Sequence, residues 1–234
     1  VDDAHELLRI FTSAASGAGL GVQQWHFELD AAGGVAGVSV ELPIGTLGGP
    51  AALSSAATAL FAPLSSAESG RERQRLREEQ AEGREVLHKL ARRVGMAPVE
   101  EDQLFNVLNA AVRLGELRFY PAAGLGGSGG GGRPAPTYAN DEAKKSGRAA
   151  ATLLGVEESA LRAALGVGCL DALGAQCAAH ALATELERRL LRWLVEHLNL
   201  FLTRVSRRGA AADTAGGVRG GQADVGVVRQ HHQD

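Results

Sequence analysis

Aromatic side chains are scarce: Phe, Trp and Tyr make up 4% of the 234 residues. Hydrophobic residues still reach 45%, so Leu, Val and Ala must supply most of any core. Cysteine is rarer still. Cys169 and Cys177 lack CxxC spacing, which excludes a disulfide scaffold or a zinc ribbon and suits a reducing, cytoplasmic compartment. Charge of one sign is also missing. With 24 Lys+Arg against 27 Asp+Glu the net charge is −3, without the basic excess of a nucleic-acid binder, so no nucleic-acid partner is expected. No apolar run approaches the roughly 18 residues that cross a bilayer, so no membrane span is expected. No charged segment leading into an apolar one follows Val1, and no signal peptide is visible. Residues 3–11 already read as the middle of an amphipathic helix with Leu7, Leu8 and Phe11 on one face, as in a piece of a longer protein.

What is plentiful is glycine, 31 residues, and it punctuates the chain. After a small-residue stretch, Trp25, Phe27 and Leu29 alternate with Gln24, His26 and Glu28, as one apolar face of a half-buried strand does. Asp30 to Gly34 supplies turn chemistry, and Val35, Val38 and Val40 suggest the return strand, so residues 22–42 are predicted to form a β-hairpin. Residues 43–50 read as a loop and 51–64 as an Ala-rich helical segment. The strongest charge run is Arg71 to Glu79. Its mixed signs read as i,i+4 pairing on a solvated helix rather than as a site for an acidic or basic ligand. That helix continues over 86–94 and stops at Gly95. Pro98, followed by Glu100, Glu101 and Asp102, starts the next helix with charges that suit its dipole. Leu104, Phe105, Leu108, Ala111, Val112 and Gly115 line one side of it, and 117–120 reads as a short strand. A Gly/Pro-rich insertion occupies 121–137. Helices are predicted over 142–154, 157–165 and 178–201, the last with a wide apolar stripe. Residues 202–234 read as a Gly/Ala-rich loop or disordered tail, with a remnant strand at 225–228.

Motifs for chemistry are few. Gly124 to Gly129 matches GxGxxG but has Pro121 before it and a Pro-rich tract after it, instead of the strand and helix a dinucleotide site requires. No Gly-Lys-Ser/Thr follows. There is no Ser-His-Asp pattern, HExxH or EF-hand loop, and Asp213 and Asp224 have no partner carboxylates. His231 and His232 lack a third ligand and read as solvated. His26 is predicted to face solvent, and Cys169 and Cys177 to be passive packing residues. Catalytic and metal-ligating residues are therefore read as none, and no nucleotide-binding residue is assigned.

The order of elements resembles the middle of a myosin motor head. Leu7-Leu8-Arg9-Ile10-Phe11 stands where the family has I-L-E-A-F-G. Trp25 through Val38 resembles the strand and turn I-E-I-H-F-D-x-x-G-x-I-x-G-A. The most specific likeness is Val94-Gly95-Met96 with Glu101 through Phe119, which follows L-G-F-x-x-x-E-Q-x-x-I-F-x-I-L-A-A-V-L-H-L-G-N-I-x-F. Ala151 through Leu165 is similar to A-x-L-L-G-V-x-x-x-x-L-x-x-A-L, and Ala181 through Asn199 to A-L-Y-x-R-L-F-D-W-L-V-E-R-I-N. The blocks run in the family's order over residues 3–200.

The resemblance implies a partial motor domain over 1–201, mostly α with a β-hairpin, as a fragment of the α/β P-loop-type motor fold. It also implies actin filaments as partner, ATP and magnesium as cofactors, a cytoplasmic, cytoskeletal location, and light chains bound outside this segment. It places the family's phosphate-binding loop before Val1 and its lower actin-binding half beyond Asp234. Two departures bear on activity. Where switch I has N-x-N-S-S-R-F-G-K, residues 15–23 put Ala18, Gly19 and Leu20 in place of Ser-Ser-Arg. Where switch II has D-I-x-G-F-E, Arg229 replaces the metal-side Asp, and His232 replaces the Gly whose N–H approaches the γ-phosphate. Loss of one preorganised donor typically costs about 10²–10³ in rate, so a chain with both switches rewritten is expected to lack ATPase activity. The alternatives are a non-enzymatic actin tether or helical interaction module, or a non-functional gene fragment.

Overall fold

Scarce aromatics and abundant Leu and Ala favour helices, whose smooth apolar stripes pack closely without large side chains. The computed structural model describes residues 2–12, 24–29, 35–41, 59–64, 69–121, 136–167 and 171–216, and it is mostly helical with a small antiparallel hairpin. In chain order the elements are α1 (Asp2–Thr12), β1 (Gln24–Leu29), β2 (Val35–Glu41), α2 (Gly70–Arg93) and α3 (Pro98–Gly115). There follow β3 (Phe119–Tyr120), β4 (Thr137–Tyr138), α4 (Asp141–Leu154), α5 (Glu158–Ala164) and α6 (Ala172–Gly216).

Local chemistry sets the helix ends. The Ser69 hydroxyl accepts the Glu72 N–H to cap α2, and the Asn140 side chain accepts the Ala143 N–H to cap α4. Pro98 opens α3, where the Glu100 carboxylate accepts the N–H of Ala97 at 2.8 Å. Gly95, at φ +78°, makes the left-handed turn between α2 and α3 that a side-chain-bearing residue resists.

Two apolar clusters form along α6. The larger joins Leu7, Leu8 and Phe11 of α1, Val38 and Val40 of β2, Leu87 and Leu90 of α2, Leu104 and Leu108 of α3, and Leu191, Leu194 and Leu198 of α6. The smaller gathers Leu114, Leu117 and Phe119 with Ala150 and Ala151 of α4, Leu161 and Leu165, and Ala175, Ala179 and Ala183 of α6. Alanines of α4 and of α6 fill much of this cluster with little side-chain volume. The Phe119 and Tyr138 rings stack there, with centroids 5.4 Å apart across the β3–β4 pair.

The predicted hairpin and the predicted starts of α3 and α4 stand. Three expectations are corrected. The apolar side of β1 is not uniformly covered: Trp25 packs against the larger cluster and meets His5 of α1, but Phe27 is 55% exposed. Cys177 lies exposed on α6 instead of packing. The final helix starts at Ala172 and runs through Arg207 to Gly216, where a loop is expected from residue 202; the run Ala210 to Ala212 supplies strong helix formers. The insertion at 122–135, residues 51–58, Cys169 and residues 217–234 lie outside the described residues.

Candidate functional site

A polar side chain of the long helix ties it to the hairpin. Asn199, on the α6 face toward β2, uses its whole amide: Nδ2 donates to the Val40 carbonyl at 3.0 Å and Oδ1 accepts the Val40 N–H at 2.8 Å. The side chain thus pairs with the free edge of β2 as a neighbouring strand would. His5 meets Trp25 edge-on at 5.8 Å, so α1 closes on the same hairpin.

The second polar constellation joins α2 to the first turn of α3. Glu101 is 2% exposed. One carboxylate oxygen meets His88 Nδ1, and the other accepts from Arg92 Nε at 3.2 Å. The Phe105 ring stands edge-on to the His88 imidazole at 4.4 Å. Burial pushes the Glu101 carboxyl up, but hydrogen bonds from His88 and Arg92 and the guanidinium charge outweigh it, and its pKa is lowered from the ordinary value of 4.5. A Glu–His pair can serve as a general base towards a water, a hydroxyl or a thiol. The shallow cavity beside it is lined by Ala81, Arg84, Glu85, His88, Lys89 and Arg92. The arrangement locks α2 onto α3 with a satisfied buried carboxylate.

A third constellation is a cleft of about 430 Å³ between α2, α3, the start of α4 and residues 61–64. Arg73, Arg77, Gln80 and Arg84 of α2 line one wall; Asn109 and Arg113 of α3 and Glu142 of α4 line the rest. Its far end is anchored by Gln80 Nε2, which donates to the carbonyls of Ala59 and Ala62 at 2.9 and 3.0 Å.

The residues singled out in the sequence are scattered. His26 is exposed on β1 and approaches Glu41 at 3.6 Å. Ala18 to Leu20, Gly124 to Gly129, Asp224, Arg229, His231 and His232 lie outside the described residues, and Asp213 falls within the helical continuation of α6. Among the described residues no group of three or more His, Cys, Asp or Glu could hold a metal ion, and no helix is long and apolar enough to cross a membrane. His88 and Arg92 stand four residues apart on α2, ahead of the acidic start of α3, a spacing already legible in the sequence. The chain matches no protein-family model, and no curated protein is significantly similar to it.

Proposed function

We propose that this chain carries the middle portion of a myosin-type, actin-based motor head and that its role is attachment to actin filaments in the cytoskeleton of the cytoplasm. The observation that carries the reading is the order of motif blocks, above all Val94 to Phe119. Those residues make the turn at Gly95, helix α3 and strand β3, and α3 contributes to both apolar clusters. The block ending at Asn199 makes the helix whose last motif residue grips the hairpin.

A second reading, a nucleotide-independent tether, is favoured by the rewritten switches. Ala18, Gly19 and Leu20 lack the hydroxyl oxygens and guanidinium, Arg229 the carboxylate, and His232 the side-chain-free backbone approach, through which a myosin head acts on ATP and magnesium. Co-sedimentation with filamentous actin separates the two. Binding that ATP weakens supports a motor-head fragment that still responds to nucleotide, and binding indifferent to ATP supports the tether. If the chain stays in the supernatant at saturating actin, both readings fall.

A further inference from the structure

The mixed charge run of α2 sorts itself by face once the helix forms. Arg73, Arg77, Gln80 and Arg84 are spaced four, three and four residues apart, so they share an arc roughly 60° wide at 3.6 residues per turn. Acidic partners lie elsewhere on the helix: Glu72 and Glu79 hold Arg75 at 2.6 and 3.1 Å, and Glu85 holds Lys89 at 2.8 Å. Two arginines that line the cleft engage neutral oxygens. Arg84 Nη1 donates to the Leu60 carbonyl at 3.3 Å, and Arg113 Nε donates to Asn109 Oδ1 at 3.0 Å. Among the described residues, Arg77, Arg84 and Arg113 enter no ion pair, as is also true of Arg71, Arg118, Arg162, Arg192 and Arg204, whereas Arg9, Arg75, Arg92, Arg93, Arg148, Arg188 and Arg189 do. Glu142 is the opposing charge in the lining, and Glu116 lies close enough to feel Arg113.

We propose that this cleft is a binding site for a small, multiply charged phosphate-bearing molecule. Its volume of about 430 Å³ suits a small-molecule ligand rather than a polymer. Guanidinium forks match phosphate oxygens two at a time, and a phosphoryl group concentrates close to two charges and three acceptors at one point. An acidic peptide spreads single charges along an extended chain and would bring some of them against Glu142. Phe61, Pro63 and Leu64 give the cleft an apolar side for the remainder of such a ligand, and Phe61 is fixed by stacking on Phe105 at 5.9 Å. The site shares no residue with the switch I and switch II blocks and does not depend on the actin reading.

Calorimetric titration of the full 234-residue chain with inorganic tripolyphosphate tests this. Saturable binding of one anion per chain is expected, weakened about tenfold or more by the double change Arg77→Gln and Arg113→Gln. Arg75→Gln removes the same kind of charge from another face and is expected to leave binding unchanged. Glu142→Gln removes the repelling carboxylate and is expected to tighten binding about threefold. Circular dichroism checks that each variant is folded, and Glu142→Gln alone decides the sign if the double variant is not. Absence of saturable binding, equal losses in Arg75→Gln and the double variant, or tighter binding of hexaglutamate than of tripolyphosphate overturns the proposal.

Discussion

Asn199 and Glu101 are polar residues set against apolar packing, and each is tolerated because its hydrogen-bonding groups are met. Asn199→Ala removes both bonds to Val40 and leaves the strand edge unpaired beside the core. Urea denaturation should show a loss of about 1–2 kcal/mol. Glu101→Gln keeps the shape but loses the charge that His88 and Arg92 address, with an expected cost of about 1–3 kcal/mol at neutral pH. The pH dependence has a definite sign. Because the folded pKa of Glu101 is lowered, its stabilisation is fully present above the ordinary value of 4.5 and is lost as pH falls through the folded value. Denaturation curves for wild type and Glu101→Gln should therefore converge on acidification, and a constant gap would show that the carboxylate charge contributes nothing. Glu185, pulled down to about 2 by hydrogen bonds from Arg188 and Arg189, is a different case. It lies open to water on α6, where screening leaves little net stabilisation.

At the scale of elements, the β3–β4 pair and α4 meet where a glycine makes room for an aromatic ring. A Cβ at Gly147 would press on the Tyr138 hydroxyl and the ring carbons behind it. That ring has little freedom to move, since Phe119 stacks on it and the Arg162 guanidinium sits 5.5 Å from its centroid. Gly147→Ala is expected to destabilise by about 1–3 kcal/mol despite alanine's better helix propensity, measured by thermal or urea unfolding. The Tyr138 hydroxyl itself is buried without a hydrogen-bond partner among the described residues, and burial pushes its pKa up from the ordinary 10.0. Tyr138→Phe removes a desolvated polar atom and keeps the stacking, so the same assay should show no loss or a small gain. A clear loss would mean that the hydroxyl has a partner in solution.

Across the whole molecule, α6 is the common wall of both apolar clusters, with Ala175, Ala179 and Ala183 in one and Leu191, Leu194 and Leu198 in the other. α3 bridges them too, through Leu104 and Leu108 at one end and Leu114 at the other. Clusters joined by two continuous helices should unfold together. Trp25 and Trp193 report only on the larger cluster, so tryptophan fluorescence and far-ultraviolet circular dichroism are expected to give coincident transitions. A fluorescence transition separated from the helix signal would show that the clusters melt independently.

Much of this architecture is local and therefore readable in the chain. The Gly95-to-Pro98 punctuation, the acidic start of α3, the valines of β2 and the leucine spacing of α6 specify their elements through caps, turns and periodicity. The resemblance to a motor head likewise rests on residue order alone. Contacts between distant elements were decided by tertiary packing. Trp25 is covered while Phe27 is open because α6 and α1 meet one part of the hairpin and not the other. Asn199 gained its partner 159 residues away where α6 lies against β2, and Glu101 was buried where α3 packs on His88 and Arg92 of α2. The charge run of α2 makes the same point. Composition averages its signs to a solvated helix, but coiling the chain at 3.6 residues per turn segregates them, and only the neighbouring α3 and α4 turn the arginine side into a cleft.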